Sequence, residues 1–289
     1  MKQRRLLEVD VFGLHPLSGN GLAVVLDGDG LDTARMQDFA RWTNFSETTF
    51  VQKPTQPGAD YRLRIFTPRQ ELPFAGHPSI GTAFAMLWSG QLPARQKQLH
   101  QECLAGVVPL RAVGNLSERE YMVRAPEPRI TRLDGGEAER LCAALGCRTR
   151  PVHHVRVGAQ WLVLELDSAA EVMSLNPDFS TLSALSKDGG ATGVTVFGAH
   201  GVMSLDWLEV RSFAPADGID EDPVCGSGNA AVAALLKAQS HEPGFAKTYS
   251  ARQGRACHRD GRVRVEIHAD GGIEIGGGAA LISEGMLRV

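Results

Sequence analysis

Three short stretches of this sequence put reactive side chains where backbone geometry makes them useful. Gly76-His77-Pro78-Ser79 and Gly226-Ser227-Gly228-Asn229 each lead into a small, apolar run without charged residues, and each reads as the start of a helix. A helix start presents backbone N–H groups without partners and the positive end of the helix dipole. Glycine lets a ligand come close, so each start is ready for an anion. If the two face each other, they would hold a carboxylate and an enolate-like oxygen together. Taken singly, either glycine turn reads more simply as a tight entry into a buried helix. The third stretch, Asn44-Phe45-Ser46-Glu47-Thr48-Thr49-Phe50-Val51, leads into a strand. Glutamate is a poor strand former and costly to bury. Glu47 is then either a carboxyl lifted by desolvation toward the working pH, fit for general acid or base work, or an exposed strand-end residue.

The residues beside these stretches extend the chemistry. His77 offers a ring nitrogen for a substrate hydrogen bond or a proton relay, or else a local cap to the turn. Cys225 stands just ahead of the second glycine turn, a place where a thiol pKa is lowered, although the matching residue in the first stretch is Ala75. Asp222-Pro223 places a carboxylate before the same turn, as a functional group or as an ordinary turn residue. The adjacent His153 and His154 point to opposite faces of a strand and have no ligand companion nearby, so no metal site is expected there.

The elements that must position these groups come as a duplication. Glu71-Leu72-Pro73-Phe74-Ala75-Gly76 lines up with Glu221-Asp222-Pro223-Val224-Cys225-Gly226, and Leu63 to Pro68 lines up with Val210 to Pro215. Both copies run on into apolar segments, and three matches in the same order weight the reading toward a paired site. Each half reads as short strands, a Pro/Gly turn, and a helix apolar on every side. Such a helix must be buried all round, so a sheet curled about it is expected. Strands are read at 8–12, 22–26, 48–52, 61–66, 161–166, 193–197, 205–213, 263–268 and 272–275. An amphipathic helix over Thr33–Thr43, capped by Asp32 and turning Met36, Phe39 and Ala40 inward, packs outside the first sheet. The least patterned stretch, Pro126–Gly135, marks the boundary between halves, with a helix from Gly136 to Leu145 opening the second.

Composition bounds what such a chain does. Its 289 residues suit two cores, and 32 glycines suit a turn-rich, strand-rich fold. A formal net charge of −3 argues against nucleic acid or an anionic membrane as partner. No apolar segment approaches the roughly 20 residues of a membrane span, and no signal-peptide core follows the basic N-terminus, so a cytoplasmic location is expected. Cys103, Cys142, Cys147, Cys225 and Cys257 form no CxxC pair, which fits a reducing compartment. No P-loop, dinucleotide-binding glycine motif, zinc spacing or nucleophile elbow is present, leaving chemistry without cofactor or metal as the simplest enzyme reading.

Five motifs taken together carry a family resemblance: Asp10-Val-Phe, Pro16-Leu-Ser-Gly-Asn20-Gly-Leu-Ala-Val-Val, Asn44 to Val51, Phe74-Ala-Gly-His-Pro-Ser-Ile-Gly81 and Glu221-Asp-Pro-Val-Cys-Gly-Ser-Gly228. In order and spacing the chain resembles the PhzF (phenazine biosynthesis-like) family from about residue 8 onward. The resemblance implies a diaminopimelate-epimerase-like α+β fold with two pseudo-symmetric lobes, each a curved, mostly antiparallel sheet or barrel around a central apolar helix. The lobes are expected at 1–125, completed by the C-terminal strand 279–289, and at 126–278, with the active site in the cleft between them and a homodimer as the assembly. It also implies a cofactor-independent isomerase that moves a proton within a small carboxylate-bearing substrate. Glu47 matches the family's catalytic carboxylate, with His77 and Asp222 assisting. Asn20, Ser46, Gly76, Ser79, Cys225, Gly226, Ser227 and Gly228 form the expected substrate-binding set. The chain departs from many members at Cys225, where they carry Thr, and at Gly228-Asn229, where they carry Ala-His. Cys225 resembles the second thiol of the two-thiol racemases, whereas Ala75 stands at their first. An epimerase using Cys225 and a binding protein without chemistry are the alternatives.

Overall fold

The computed structural model describes residues 2–115, 118–201, 203–240 and 245–289. In chain order its elements are β1 (Gln3–Val11), β2 (Asn20–Val25), α1 (Thr33–Thr43), β3 (Glu47–Gln52), β4 (Tyr61–Phe66), β5 (Glu71–Leu72), α2 (Gly76–Trp88), β6 (Gln98–Cys103), β7 (Gly106–Val113), β8 (Glu120–Arg124), β9 (Arg129–Arg132), α3 (Gly135–Leu145), β10 (His153–Val157), β11 (Ala159–Glu165), α4 (Ala169–Ser174), α5 (Phe179–Asp188), β12 (Gly193–Ala199), β13 (Leu208–Ala214), β14 (Ile219–Asp222), α6 (Gly226–Gln239), β15 (Lys247–Gln253), β16 (Gly261–Ile267) and β17 (Ile273–Arg288). By contacts the chain divides into unit 1, Met1–Arg124 with Gly276–Val289, and unit 2, Ala125–Ile275.

In unit 1, β1 pairs antiparallel with β2 and with β17, and β2 runs parallel to β3. β4 lies antiparallel to β3 and parallel to β6, which continues antiparallel through β7 to β8. β8 returns to β17, so the mixed sheet closes into a barrel. Its interior holds α2, packed on β1, β2, β3 and β8. Apolar residues on all sides make this burial favourable: Ile80, Ala83, Ala85 and Met86 are all inaccessible or nearly so. Gly81 permits the close approach, because a Cβ there would lie 2.6 Å from Leu22 and 2.7 Å from Val11. Outside the sheet, the Asp32 carboxylate accepts the Arg35 N–H at the start of α1, and Asn44 ends the helix in the left-handed region at φ 56°. Met36, Phe39 and Ala40 are buried as the periodicity predicts, against Val25, Phe50 and Phe66.

Unit 2 repeats the order. β9, β10 and β11 pair antiparallel, and β11 runs parallel to β12. β13 lies antiparallel to β12 and parallel to β15, and β16 follows antiparallel. Helix α6 packs on β10, β11, β12 and β16. Two features depart from the sequence reading. The stretch read as unpatterned boundary contains β9, a strand held by backbone pairing to β10 rather than by a buried face. Helices α4 and α5 likewise fall outside what the sequence pattern predicts. The Ser- and Thr-rich text of α5 has weak helix propensity, but Asp178 caps it and Leu182 and Leu185 bury into a cluster with Leu141, Val172 and Phe213.

Candidate active site

The predicted site residues fall into two groups, one at each buried helix start. In unit 1, β3 begins with Glu47, in register with Leu22 of β2. Two hydroxyl contacts hold this strand: Thr48 with Thr43 at 3.0 Å, and Thr49 with Thr82 of α2 at 3.0 Å. Ser46 donates to the Asn20 side-chain oxygen at 3.0 Å, tying the approach to β3 to the first residue of β2. The result places Oε2 of Glu47 3.4 Å from Nε2 of His77, with Glu47 13% and His77 4% exposed. Burial pushes the His77 imidazole down to about 3, so the ring is neutral and the contact is not an ion pair. The two atoms touch without making a hydrogen bond to each other, and a neutral ring does not draw the carboxyl into a charge pair.

The start of α2 around that pair is open in one respect. Its cap residue, Ala75, has no side chain to satisfy the first-turn N–H groups. Ser79 turns inward, donating to the Ala75 carbonyl at 2.8 Å and accepting from Gln101 at 2.9 Å. It therefore braces the turn. Gly76 is the first helical residue and is buried.

The second group lies at the start of α6. Cys225 is its cap: the sulfur accepts the Gly228 N–H at 3.3 Å and lies 3.6 Å from the Ser227 hydroxyl. Its place before a glycine turn predicts a thiol of lowered pKa. Instead, burial first and the neighbouring Asp222 second push the Cys225 thiol well up, outweighing the helix start. It is a protonated group. At Gly228 a Cβ would sit 2.5 Å from the Ser212 hydroxyl and 2.8 Å from that of Thr195, so any larger residue there requires those two side chains to turn. Ser227 accepts a hydrogen bond from the Trp161 ring N–H at 3.1 Å, and Gly226 is buried.

Three buried partners carried no motif signal: Gln101, Trp161 and Gln253. Gln253 binds the backbone N–H of Cys225 and the carbonyl of Asp222, as well as Asn229. Glutamine within a strand offers no sequence cue to such a role. Elsewhere, Glu266, His268 and Glu274 bring possible metal-ligating atoms within 4.8 Å of one another, but Arg264 already holds Glu266. Among the described residues no helix is long and apolar enough to cross a membrane.

A mixed sheet rolled about a buried helix is shared with the solved structure of a predicted epimerase of Pseudomonas aeruginosa at 27% identity, and relatives named as isomerases, matched across nearly the whole chain, make the protein an isomerase. The phenazine biosynthesis-like profile matches residues 9–285. The chain belongs to the PhzF family. It is 33% identical over 287 residues to trans-2,3-dihydro-3-hydroxyanthranilate isomerase of Pseudomonas aeruginosa, covering 97% of this chain and 98% of the relative. It is 39% identical over 274 residues to antisense-enhancing sequence 1 of Schizosaccharomyces pombe, covering 92% and 91%. The crystal structure of the Bacillus anthracis PhzF-family phenazine biosynthesis protein aligns over all of both chains with a TM-score of 0.88 at 25% identity.

Proposed function

We propose that this isomerase moves a proton between carbons of a small, carboxylate-bearing substrate, with Glu47 as the group that takes and returns the proton. The observation that carries the reading is the 3.4 Å contact between Glu47 and a buried, neutral His77 at the uncapped start of α2. In this role the carboxylate accepts the C–H proton, and the neutral imidazole lies against it at 3.4 Å. The first-turn N–H groups of α2 stabilise negative charge that develops on the substrate. The start of α6 is assigned to substrate binding: Gly226, Ser227 and Gly228 offer backbone and hydroxyl groups, Asp222 assists proton delivery, and the protonated Cys225 thiol is an acid rather than a base. Asn20 and Ser46 hold the segment that enters β3. No step in this scheme requires a cofactor. The similar isomerase of P. aeruginosa makes trans-2,3-dihydro-3-hydroxyanthranilate the first compound to try. A homodimer in the cytoplasm belongs to the same proposal.

The test is proton NMR in deuterated water with that compound and a panel of amino acids, comparing wild type with Glu47→Gln. Isomerisation or deuterium incorporation that disappears in the variant supports the assignment. Turnover retained by Glu47→Gln removes Glu47 from the chemistry. Loss of exchange on alkylating Cys225 alone, with Glu47 dispensable, would point to an epimerase working through the thiol.

A further inference from the structure

We infer that Gln253, a strand residue outside every motif, is the positioning residue of the second helix start. It is the last residue of β15 and is completely buried. Its amide is used on both sides. Oε1 accepts from the backbone N–H of Cys225 at 3.1 Å and from Nδ2 of Asn229 at 2.9 Å, while Nε2 donates to the backbone carbonyl of Asp222 at 3.0 Å. Asn229 donates a second time, to the Cys225 carbonyl at 2.9 Å. One side chain thus ties together the residue that ends β14, the cap of α6 and its first turn. The orientation of the amide follows from its partners, two donors on one side and an acceptor on the other.

Unit 1 shows that this arrangement is more than a generic buried glutamine. β6 and β15 hold equivalent places, each the parallel neighbour of the strand before the helix turn. Gln101 on β6 is also fully buried, but its partners are side chains, with its amide nitrogen donating to the Ser79 hydroxyl at 2.9 Å and its oxygen accepting from the Tyr61 hydroxyl at 3.4 Å. Gln253 instead spans both sides of its helix start and sets the separation of Asp222 from Cys225. The spacing governs how strongly that carboxylate acts on the thiol.

The inference rests on the reading of the α6 start as part of the active site, and its first test needs no substrate. In the full chain, alkylation of each cysteine by iodoacetamide is followed peptide by peptide across a pH series for wild type, Gln253→Met and Gln253→Glu. Methionine makes none of the three bonds, so Cys225 becomes about 10-fold more reactive and its pH midpoint falls as Asp222 moves away, while Cys103 and Cys142 keep their rates. Protonated glutamate can donate and accept as the amide does. Gln253→Glu therefore matches wild type at low pH and diverges as its carboxyl ionises. Unchanged Cys225 reactivity in both variants, or equal acceleration of all five cysteines, overturns the inference. Turnover separates the two readings. Wild-type rates in Cys225→Ser and Asp222→Asn would end the active-site role of the α6 start, with the alkylation result still standing. If those variants are impaired, Gln253→Met should lose about 10²-fold in kcat/KM through misplacement. Wild-type kcat and KM in Gln253→Met would then overturn positioning alone.

Discussion

The two units build their helix starts on the same frame and arm them differently. Arg64 grips Glu71 through two hydrogen bonds of 2.7 Å and lies over Phe66; Arg211 grips Glu221 at 2.9 and 2.7 Å and lies over Phe213. Each ion pair fixes the turn between a sheet strand and a buried helix. The reactive positions diverge. Register with the flanking strands sets Gly193 of β12 where β3 has Glu47, and aligning the two helix starts makes Ser227 the counterpart of His77 and Cys225 the counterpart of Ala75. The second unit has no room for the missing carboxylate, since a Cβ on Gly193 would lie 2.0 Å from the Phe213 carbonyl oxygen. Duplication therefore preserved the scaffold, and packing left the carboxyl–imidazole pair to one copy.

That contrast can be broken or sharpened by measurement. The largest effect should come from Glu47→Gln, which keeps the shape of the side chain and removes the base, lowering kcat by about 10²- to 10⁴-fold with the thermal midpoint nearly unchanged. A comparable loss from substitutions at the α6 start, with Glu47→Gln active, would reverse the assignment of roles.

Next is a pH effect on stability. Below pH 6.5 the unfolded chain protonates His77, while the folded chain refuses the proton until about pH 3. The contribution is thus fully present above 6.5 and is lost as pH falls across that window. Its loss should reach a few kcal/mol, and His77→Asn should flatten that part of the urea-denaturation profile. Identical profiles for the two proteins would mean that the ring is not held neutral.

Two smaller changes probe the frame of unit 2. Gly193→Ala should cost about 1–3 kcal/mol by overpacking against β13. A stable Gly193→Ala protein would show that space is not what keeps a carboxylate out of the second copy. Trp161→Phe removes the N–H that Ser227 accepts and should cost about 1 kcal/mol in denaturant titration. If it costs nothing, that bond does not hold the α6 start in place.

Patterns between near neighbours were legible in the sequence. Met36, Phe39 and Ala40 follow helical spacing behind an Asp cap, β4 lies where alternation put it, and both buried helices begin at the glycines that the duplication singled out. The sequence by itself determined these because caps, turns and one-sided burial act over a few residues. The tertiary structure alone decided that Glu47 meets His77, that Trp161 reaches Ser227 and that Gln253 braces Cys225, contacts spanning dozens of residues with no periodicity to announce them. It also decided the state of Cys225. A helix start lowers a thiol pKa, but burial and Asp222 oppose it, and only the folded chain determines which of these opposing effects is larger.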